Sequence, residues 1–331
     1  MTKYSNHDGK IIMPNEYIPV ALNTIQPNTC AGCNLYIKTH TDEGIRYVLY
    51  CNSESALYEH NIKELLYNQI NCLFIKQCEE TLYLRHSESH LKLIIHDPAI
   101  DTKTKSEMVY NVAKSIMLDI FNDPRAGDNV ERSRNWVSST VEYVLHNKEA
   151  TSTMLNMVSY DYYTYTHCVD VSVLGLLFAK YLRLNAKGMN DFGTGLLLHD
   201  IGKTQINVDI LNKNGKLSEV EYAEMKKHVE IGSGILKDLG GLREESFSPV
   251  LQHHEKLNGQ GYPMGLKGSE IHDYGKIAAI IDVYDALTTK RPYSDARKPF
   301  PALQMMKEHM KGHFDEVYFR SFVAFLGSRG G

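Results

Sequence analysis

The chemistry-bearing residues of this sequence are histidines and aspartates that sit where apolar runs begin, end or continue. His-Asp occurs at His7-Asp8, His96-Asp97, His199-Asp200 and His272-Asp273, so the dipeptide alone says little. The first lies in a polar terminus, Pro98 follows the second, and the fourth sits in a turn-like stretch. His199-Asp200 is different. It follows Leu196-Leu197-Leu198 and is stopped by Gly202, which places an imidazole and a carboxylate at the buried end of a helix. Burying both costs free energy unless they pair or bind a metal. His167 lies in the stretch from Tyr162 to Leu182, whose Val171, Leu174, Leu177, Phe178 and Tyr181 mark a core helix. Ser218-x-x-Glu221 is a capping-box signal for a helix carrying His228. His253-His254 follows Pro249-Val250-Leu251, and Asp282 continues the run Ile277-Ala278-Ala279-Ile280-Ile281.

Singly, each of these histidines fits a satisfied core residue, and an adjacent histidine pair is expected to send one ring inward and one outward, whereas an unpaired carboxylate at Asp282 would be expensive. Five segments with the same habit point instead to one metal centre. Imidazole with carboxylate suits iron, manganese, zinc or nickel, whereas calcium and magnesium prefer oxygen-rich sites. Seven ligands exceed the need of one ion, which makes two the natural count. A pair of such ions lowers the pKa of a bridging water and clamps a phosphoryl group.

The elements that must position these residues are helices. From about Tyr17 to Ile95 the texture is α+β, with strand-like runs at Asn34 to Lys38, Arg46 to Tyr50, Cys72 to Ile75 and Thr81 to Leu84. Thr41 to Gly44 suits a hairpin turn, and Ala56 to Ile70 has helical spacing at Leu57, Ile62, Leu65 and Leu66. After Pro98, apolar residues recur three and four apart, as at Val109, Val112, Ile116 and Ile120, and a break at Pro124 to Gly127 precedes a helix from Val130 to His146. The expected architecture is mainly α: a small α+β accessory domain over residues 1–100, a helical connector over 101–158 and an all-helical domain over 159–331.

With 331 residues, 43% of them hydrophobic, the chain can bury a substantial core. No run approaches the ~18 apolar residues of a membrane span, and the polar N-terminus lacks a signal-peptide core, so a cytoplasmic protein is expected. A net charge of −4 offers no general attraction to long nucleic acid. The six cysteines read as reduced thiols, and Cys30-Ala31-Gly32-Cys33 has no second pair to complete a zinc site.

His167, His199-Asp200 and Asp282, in that order, resemble the HD superfamily of metal-dependent phosphohydrolases. The longer pattern His199-Asp200-Ile201-Gly202-Lys203, then His228, then His253-His254-Glu255-x-x-x-Gly259-x-Gly261-Tyr262-Pro263, resembles the HD-GYP family of bacterial cyclic di-GMP phosphodiesterases over about Tyr160 to Phe325. The resemblance implies His167, His199, Asp200, His228, His253, His254 and Asp282 as ligands of two divalent transition metals, iron or manganese, with Asp200 bridging and catalytic. Some family members hold a third ion through a glutamate where this sequence has Tyr163, and a phenol with a pKa near 10 is a poor substitute. A third ion is therefore not expected, and pGpG is favoured over GMP as end product.

The family's lysine falls on Lys203, expected to meet a phosphate oxygen or the leaving group. Gly259 and Gly261 permit a tight turn and close backbone approach, and Tyr262 offers a flat face for guanine. Asp285, three residues after Asp282, would accept from a guanine edge or from a group behind the ligands. Arg291, in Arg291-Pro292-Tyr293, resembles a phosphate-contacting segment that often continues with a second arginine, here Ser294, a contact Arg297 could supply. The expected substrate is cyclic di-GMP, with 3′,3′-cyclic GMP-AMP or a non-catalytic nucleotide-binding role as alternatives. The N-terminal domain would serve regulation, homodimerisation or a protein partner.

Overall fold

A computed structural model of the chain describes residues 16–42, 44–158, 164–289 and 296–328. The chain divides into two units, Met1–Met108 and Val109–Gly331. The first contains β1 (Tyr17–Ala21), β2 (Thr29–Cys30), β3 (Leu35–Thr41), β4 (Gly44–Cys51), β5 (Ala56–Leu57), α1 (Glu59–Tyr67), β6 (Cys72–Lys76) and α2 (Glu80–His96). Its main sheet has the order β1-β6-β3-β4 with antiparallel pairing throughout, and β2 pairs with β5. The hairpin predicted around residues 41–44 closes with Thr41 opposite Gly44; its residue Glu43 lies outside the described residues, as does His7-Asp8. Leu73 and Ile75, two apart on β6, are fully enclosed together with Leu22 and Leu35, as the period of a half-buried strand requires.

Two local expectations are corrected here. Thr81 to Leu84, read as a strand, belongs to the first turns of α2. Four β-favouring residues carry too little period to decide, and burial at Tyr83, Ser87, Leu91, Ile94 and Ile95 follows helical spacing along the whole segment. Ala56 and Leu57, read as the start of a helix, pair instead with Cys30 and Thr29, and α1 begins only at Glu59.

α3 (Thr102–Asn122) crosses the division between the units. The second unit continues with α4 (Asn129–His146), α5 (Ala150–Leu155), α6 (Thr164–Tyr181), α7 (Ala186–Leu198), α8 (Val208–Leu211), α9 (Glu219–Lys226), α10 (His228–Leu239), α11 (Phe247–Gln252), α12 (Asp273–Thr288), α13 (Pro299–His309) and α14 (Glu316–Gly327). α6 is its axis. Every residue from Thr166 to Ala179 is buried, the pattern of a helix apolar all round and packed on all sides. Gly175 lets α7 cross closely, since a β-carbon there would lie 2.1 Å from Leu196 Cδ1. The architecture is thus mainly helical with a small α+β unit at the N-terminus. Among the described residues no helix is long and apolar enough to cross a membrane.

Candidate metal centre

His167 lies in the first turn of α6, and His199-Asp200 follows the last residue of α7. His253-His254 follows α11, and Asp282 lies in the third turn of α12. The Ser218–Glu221 capping box is present with both reciprocal bonds, but the helix it starts stops at Lys226. His228 is the first residue of α10, which corrects the expectation of one continuous helix. The break lets the His228 backbone meet the turn after Asp200. A β-carbon on Gly202 would lie 1.9 Å from the His228 carbonyl oxygen and 2.6 Å from the Gly232 nitrogen. Glycine at 202 is therefore what allows this approach.

All seven candidate ligands converge on one site. Asp200 Oδ2 faces His167 Nε2 at 3.7 Å, His199 Nε2 at 3.4 Å and Lys203 Nζ at 2.5 Å, while Oδ1 faces His228 Nε2 at 3.3 Å and His253 Nε2 at 3.8 Å. Ligand atoms of His167, His199 and Asp282 lie within 4.8 Å of one another, as do those of His228, His253 and His254. Asp200 stands between the two sets. Neither ring of the adjacent pair leaves the site: their centroids are 4.1 Å apart, with His253 buried and His254 partly exposed.

The far side of each buried ring fixes its tautomer. His199 Nδ1 donates to Leu196 O at 2.6 Å, His228 Nδ1 to Met225 O at 2.7 Å and His253 Nδ1 to Pro249 O at 2.8 Å. A carbonyl only accepts, so each Nδ1 carries the proton and each Nε2 presents a lone pair to the site. His228 Nε2 and His253 Nε2 then face each other at 3.4 Å as two acceptors. Among the described residues, His199 Nε2 and Asp200 Oδ1 are buried with no hydrogen-bond partner. Inward lone pairs with nothing to receive from are the arrangement a cation satisfies, so the residues present fit a divalent metal.

Electrostatics agree with this arrangement at three of the rings, whereas at His167 burial is outweighed by the bonds to Asp282 and Asp285, which raise the pKa to about 10, so a metal there would displace a proton. Burial lowers the His228 pKa to about 4 and that of His254 to about 3, and holds His253 well below its ordinary value, which keeps these rings neutral as ligands must be. Burial opposes ionisation of Asp200, yet the Lys203 ammonium beside it holds its carboxyl well below the usual range. Asp282 is likewise held well below despite burial, chiefly by His167 at 3.0 Å.

Asp285 is 1% exposed and accepts from His167 Nδ1 at 2.6 Å. Of the two partners expected for it, a guanine edge or a group behind the ligands, the bond to His167 is of the second kind. Tyr262 stacks on His254 at 4.6 Å, and Lys226 Nζ stands 5.9 Å from its ring centre, so one face is already spent on the site. Arg291, Tyr163 and Ser294 lie outside the described residues. His272, expected in a loop, caps α12 by accepting from Tyr274 N at 3.1 Å.

Sequence reasoning passed over Glu255. Its buried carboxylate accepts from the backbone of Met264 at 2.7 Å, Gly265 at 3.1 Å and Leu266 at 3.0 Å, tying the Gly-Tyr-Pro segment to the histidine pair. Gly261 packs so tightly that a β-carbon would lie 2.4 Å from Glu255 Cα. A buried glutamate next to two ligands was the available signal.

Residues 140–317 match the HD domain family, and the chain belongs to it. Divalent-metal dependence comes with that membership, and the clusters around Asp200 are where this chain can meet it. The chain is 34% identical over 217 residues to the cyclic di-GMP phosphodiesterase PA4108 of Pseudomonas aeruginosa, covering 65% of this chain and 52% of that protein. It is 36% identical over 165 residues to a cyclic di-GMP phosphodiesterase of Thermotoga maritima, covering 47% and 42% respectively. It is also 35% identical over 157 residues to the 3′3′-cGAMP-specific phosphodiesterase 3 of Vibrio cholerae, covering 47% and 34%. The chain thus spans about half the length of the first of these relatives and less of the other two. Among solved structures, Bd1817, an HDG"Y"P protein from Bdellovibrio bacteriovorus, superposes with a TM-score of 0.66 at 19% identity, over 94% of this chain and 99% of that one. The likeness is one of fold.

Proposed function

We propose that the chain hydrolyses a phosphodiester bond of a cyclic dinucleotide, with cyclic di-GMP as substrate and linear pGpG as product. The observation that carries this reading is Asp200, one carboxylate whose Oδ2 faces His167 and His199 and whose Oδ1 faces His228 and His253, within adjoining clusters of donors, in a chain that also has the Gly-Tyr-Pro segment. The names of the relatives from Pseudomonas and Thermotoga support the substrate. His167, His199 and Asp282 would hold one divalent ion, iron or manganese, and His228, His253 and His254 a second, with Asp200 shared. Bound there, the pair would supply a water nucleophile near neutral pH and positive charge for the phosphoryl oxygens.

The protein's own groups do the rest. Lys203, beside Asp200, offers an ammonium to a non-bridging phosphate oxygen or to the leaving group. Arg291 is assigned to the phosphate as well, with Arg297 as a further cation in the same segment. Tyr262 fixes the His254 ring, and a base meeting Tyr262 would do so beside Lys226 and Tyr222. Asp285 orients His167. With Tyr163 in place of a carboxylate, no third ion is assigned, and the reaction stops at pGpG. The N-terminal unit is assigned to regulation, through a second copy of the chain or a protein partner.

A second substrate, 3′,3′-cyclic GMP-AMP, is favoured by the name of the Vibrio cholerae relative. Product chromatography distinguishes the two. The full chain, loaded with Fe(II) or Mn(II) under reducing, anaerobic conditions, is expected to release pGpG from cyclic di-GMP faster than it opens 3′,3′-cyclic GMP-AMP. The reverse ratio would assign the second substrate, and no product from fully metallated protein would leave a nucleotide-binding protein.

A further inference from the structure

A cavity of about 650 Å³ lies in the helical unit among α4, α7 and the segment between α10 and α11, lined by none of the metal-centre residues. Its size is within the ~300–1,000 Å³ range of small-ligand sites. Arg134, Lys187 and Arg243 bring three cations to its wall, Asp191 a buried carboxylate and Glu131 an exposed one, while Glu245 stands 3.9 Å from Lys187 Nζ and 4.0 Å from Arg243 Nε. The carboxylate is loosely held. Arg243 Nε stands 3.5 Å from Asp191 Oδ1 and Lys187 Nζ 3.9 Å from Oδ2, both beyond a good charge-assisted hydrogen bond. Lys187 and Arg243 are half-exposed, so their heads can turn toward a ligand. Arg134 donates to Gly241 O at 3.2 Å, leaving further guanidinium donors at the rim.

The position of the cavity gives it a second property. Lys187 and Asp191 belong to the opening turns of α7, whose far end delivers His199 and Asp200. Gly240 and Gly241 follow α10, whose other end is His228, and Ser246 precedes α11, which delivers His253 and His254. The cavity therefore touches the remote ends of three ligand-bearing helices. Along α7 the lining runs from Lys187 to Thr194, so its axial separation from His199 narrows from roughly 18 Å to roughly 8 Å at 1.5 Å per residue.

We propose that this cavity is a second ligand site, which takes a guanine nucleotide and couples its occupancy to the metal centre through α7, α10 and α11. Asp191 accepts from the base, because guanine presents two adjacent donors, N1–H and the N2 amino group, to one carboxylate. Arg134, Lys187 and Arg243 hold the phosphate. Binding here does not depend on the hydrolytic reading of the metal centre, and its test involves no turnover.

The probes are GMP, IMP and AMP, added to the chelator-treated full chain in a calorimeter. GMP is expected to bind at least tenfold more tightly than AMP, with IMP, which lacks the N2 amino group, between them. Asp191→Asn should erase that order, whereas Arg243→Ala should weaken all three by a similar factor of five or more. Equal binding of GMP and AMP, no GMP binding at millimolar concentration, or an order unchanged in Asp191→Asn would overturn the site. Should Asp191→Asn fail to fold, Arg243→Ala, at a half-exposed side chain, decides in its place: unchanged GMP affinity rejects the site. For the coupling, saturating GMP should change the Mn(II) affinity at least threefold in the wild type and not in the Asp191 variant. Equal Mn(II) affinity with and without GMP would overturn the coupling.

Discussion

At the scale of single residues, the metal centre is organised by what stands behind each ligand. Three imidazoles are turned by backbone carbonyls and a fourth by Asp285. An outer partner of this kind sets both tautomer and ring orientation. Asp285→Asn keeps the shape but removes the charge, and should lower metal affinity by about 10–100-fold, read by titration against a competing chelator. An unchanged affinity would mean that His167 is oriented without it. Lys203→Ala, by contrast, should leave metal content intact, because the ammonium neighbours Asp200 without being a ligand; metal loss in that variant would contradict its assigned role. The ligand residues were legible in the sequence because each stands at the edge of an apolar run. Their division into two sets around Asp200 was not, since it depends on contacts between segments far apart in the chain, such as His167 with Asp285.

At the scale of elements, the centre depends on how closely α10 crosses the turn after Asp200. Gly202 and Gly234 make a matched pair of tests. A β-carbon at Gly202 meets the His228 carbonyl oxygen at 1.9 Å, whereas at Gly234, on α10, it meets nothing within 4 Å. Gly202→Ala should cost at least about 2 kcal/mol, in the range of an overpacked core, and displace His228. Gly234→Ala should be neutral or stabilise by up to about 1 kcal/mol. Urea unfolding with metal analysis of both variants checks this, and equal effects would show that the crossing is not constrained at Gly202. Helix starts such as Ser218 were legible because capping chemistry is local. Thr81 to Leu84 misled because a short β-favouring run is overruled by the longer helical burial pattern around it.

At the scale of the whole molecule, the two units respond to acid through different groups. In the N-terminal unit, His86 accepts from Gln26 N through Nε2 at 3.3 Å, and burial, with His90 beside it, lowers its pKa from 6.5 to about 4. Between those values the unfolded chain binds the proton that the folded unit refuses. Its stability contribution is therefore complete above about pH 6.5 and lost as pH falls through about 4. Hydrogen exchange of the β1 and β6 amides, corrected for intrinsic rates, should show that decline. His86→Gln, which still accepts but does not titrate, should flatten it; an undiminished slope would place the acid sensitivity elsewhere. The helical texture of the second unit was legible from apolar spacing, whereas the cavity at the far ends of α7, α10 and α11 was not, because it exists only once those helices are packed.

The central claim is that the cluster around Asp200 holds divalent metal and uses it on a cyclic dinucleotide. The most direct measurement pairs metal analysis with product chromatography for the wild type and Asp200→Ala, both prepared anaerobically with Fe(II) or Mn(II). About two ions per chain and release of linear dinucleotide are expected of the wild type, with both lost in the variant. Product release that persists in metal-depleted Asp200→Ala would contradict it.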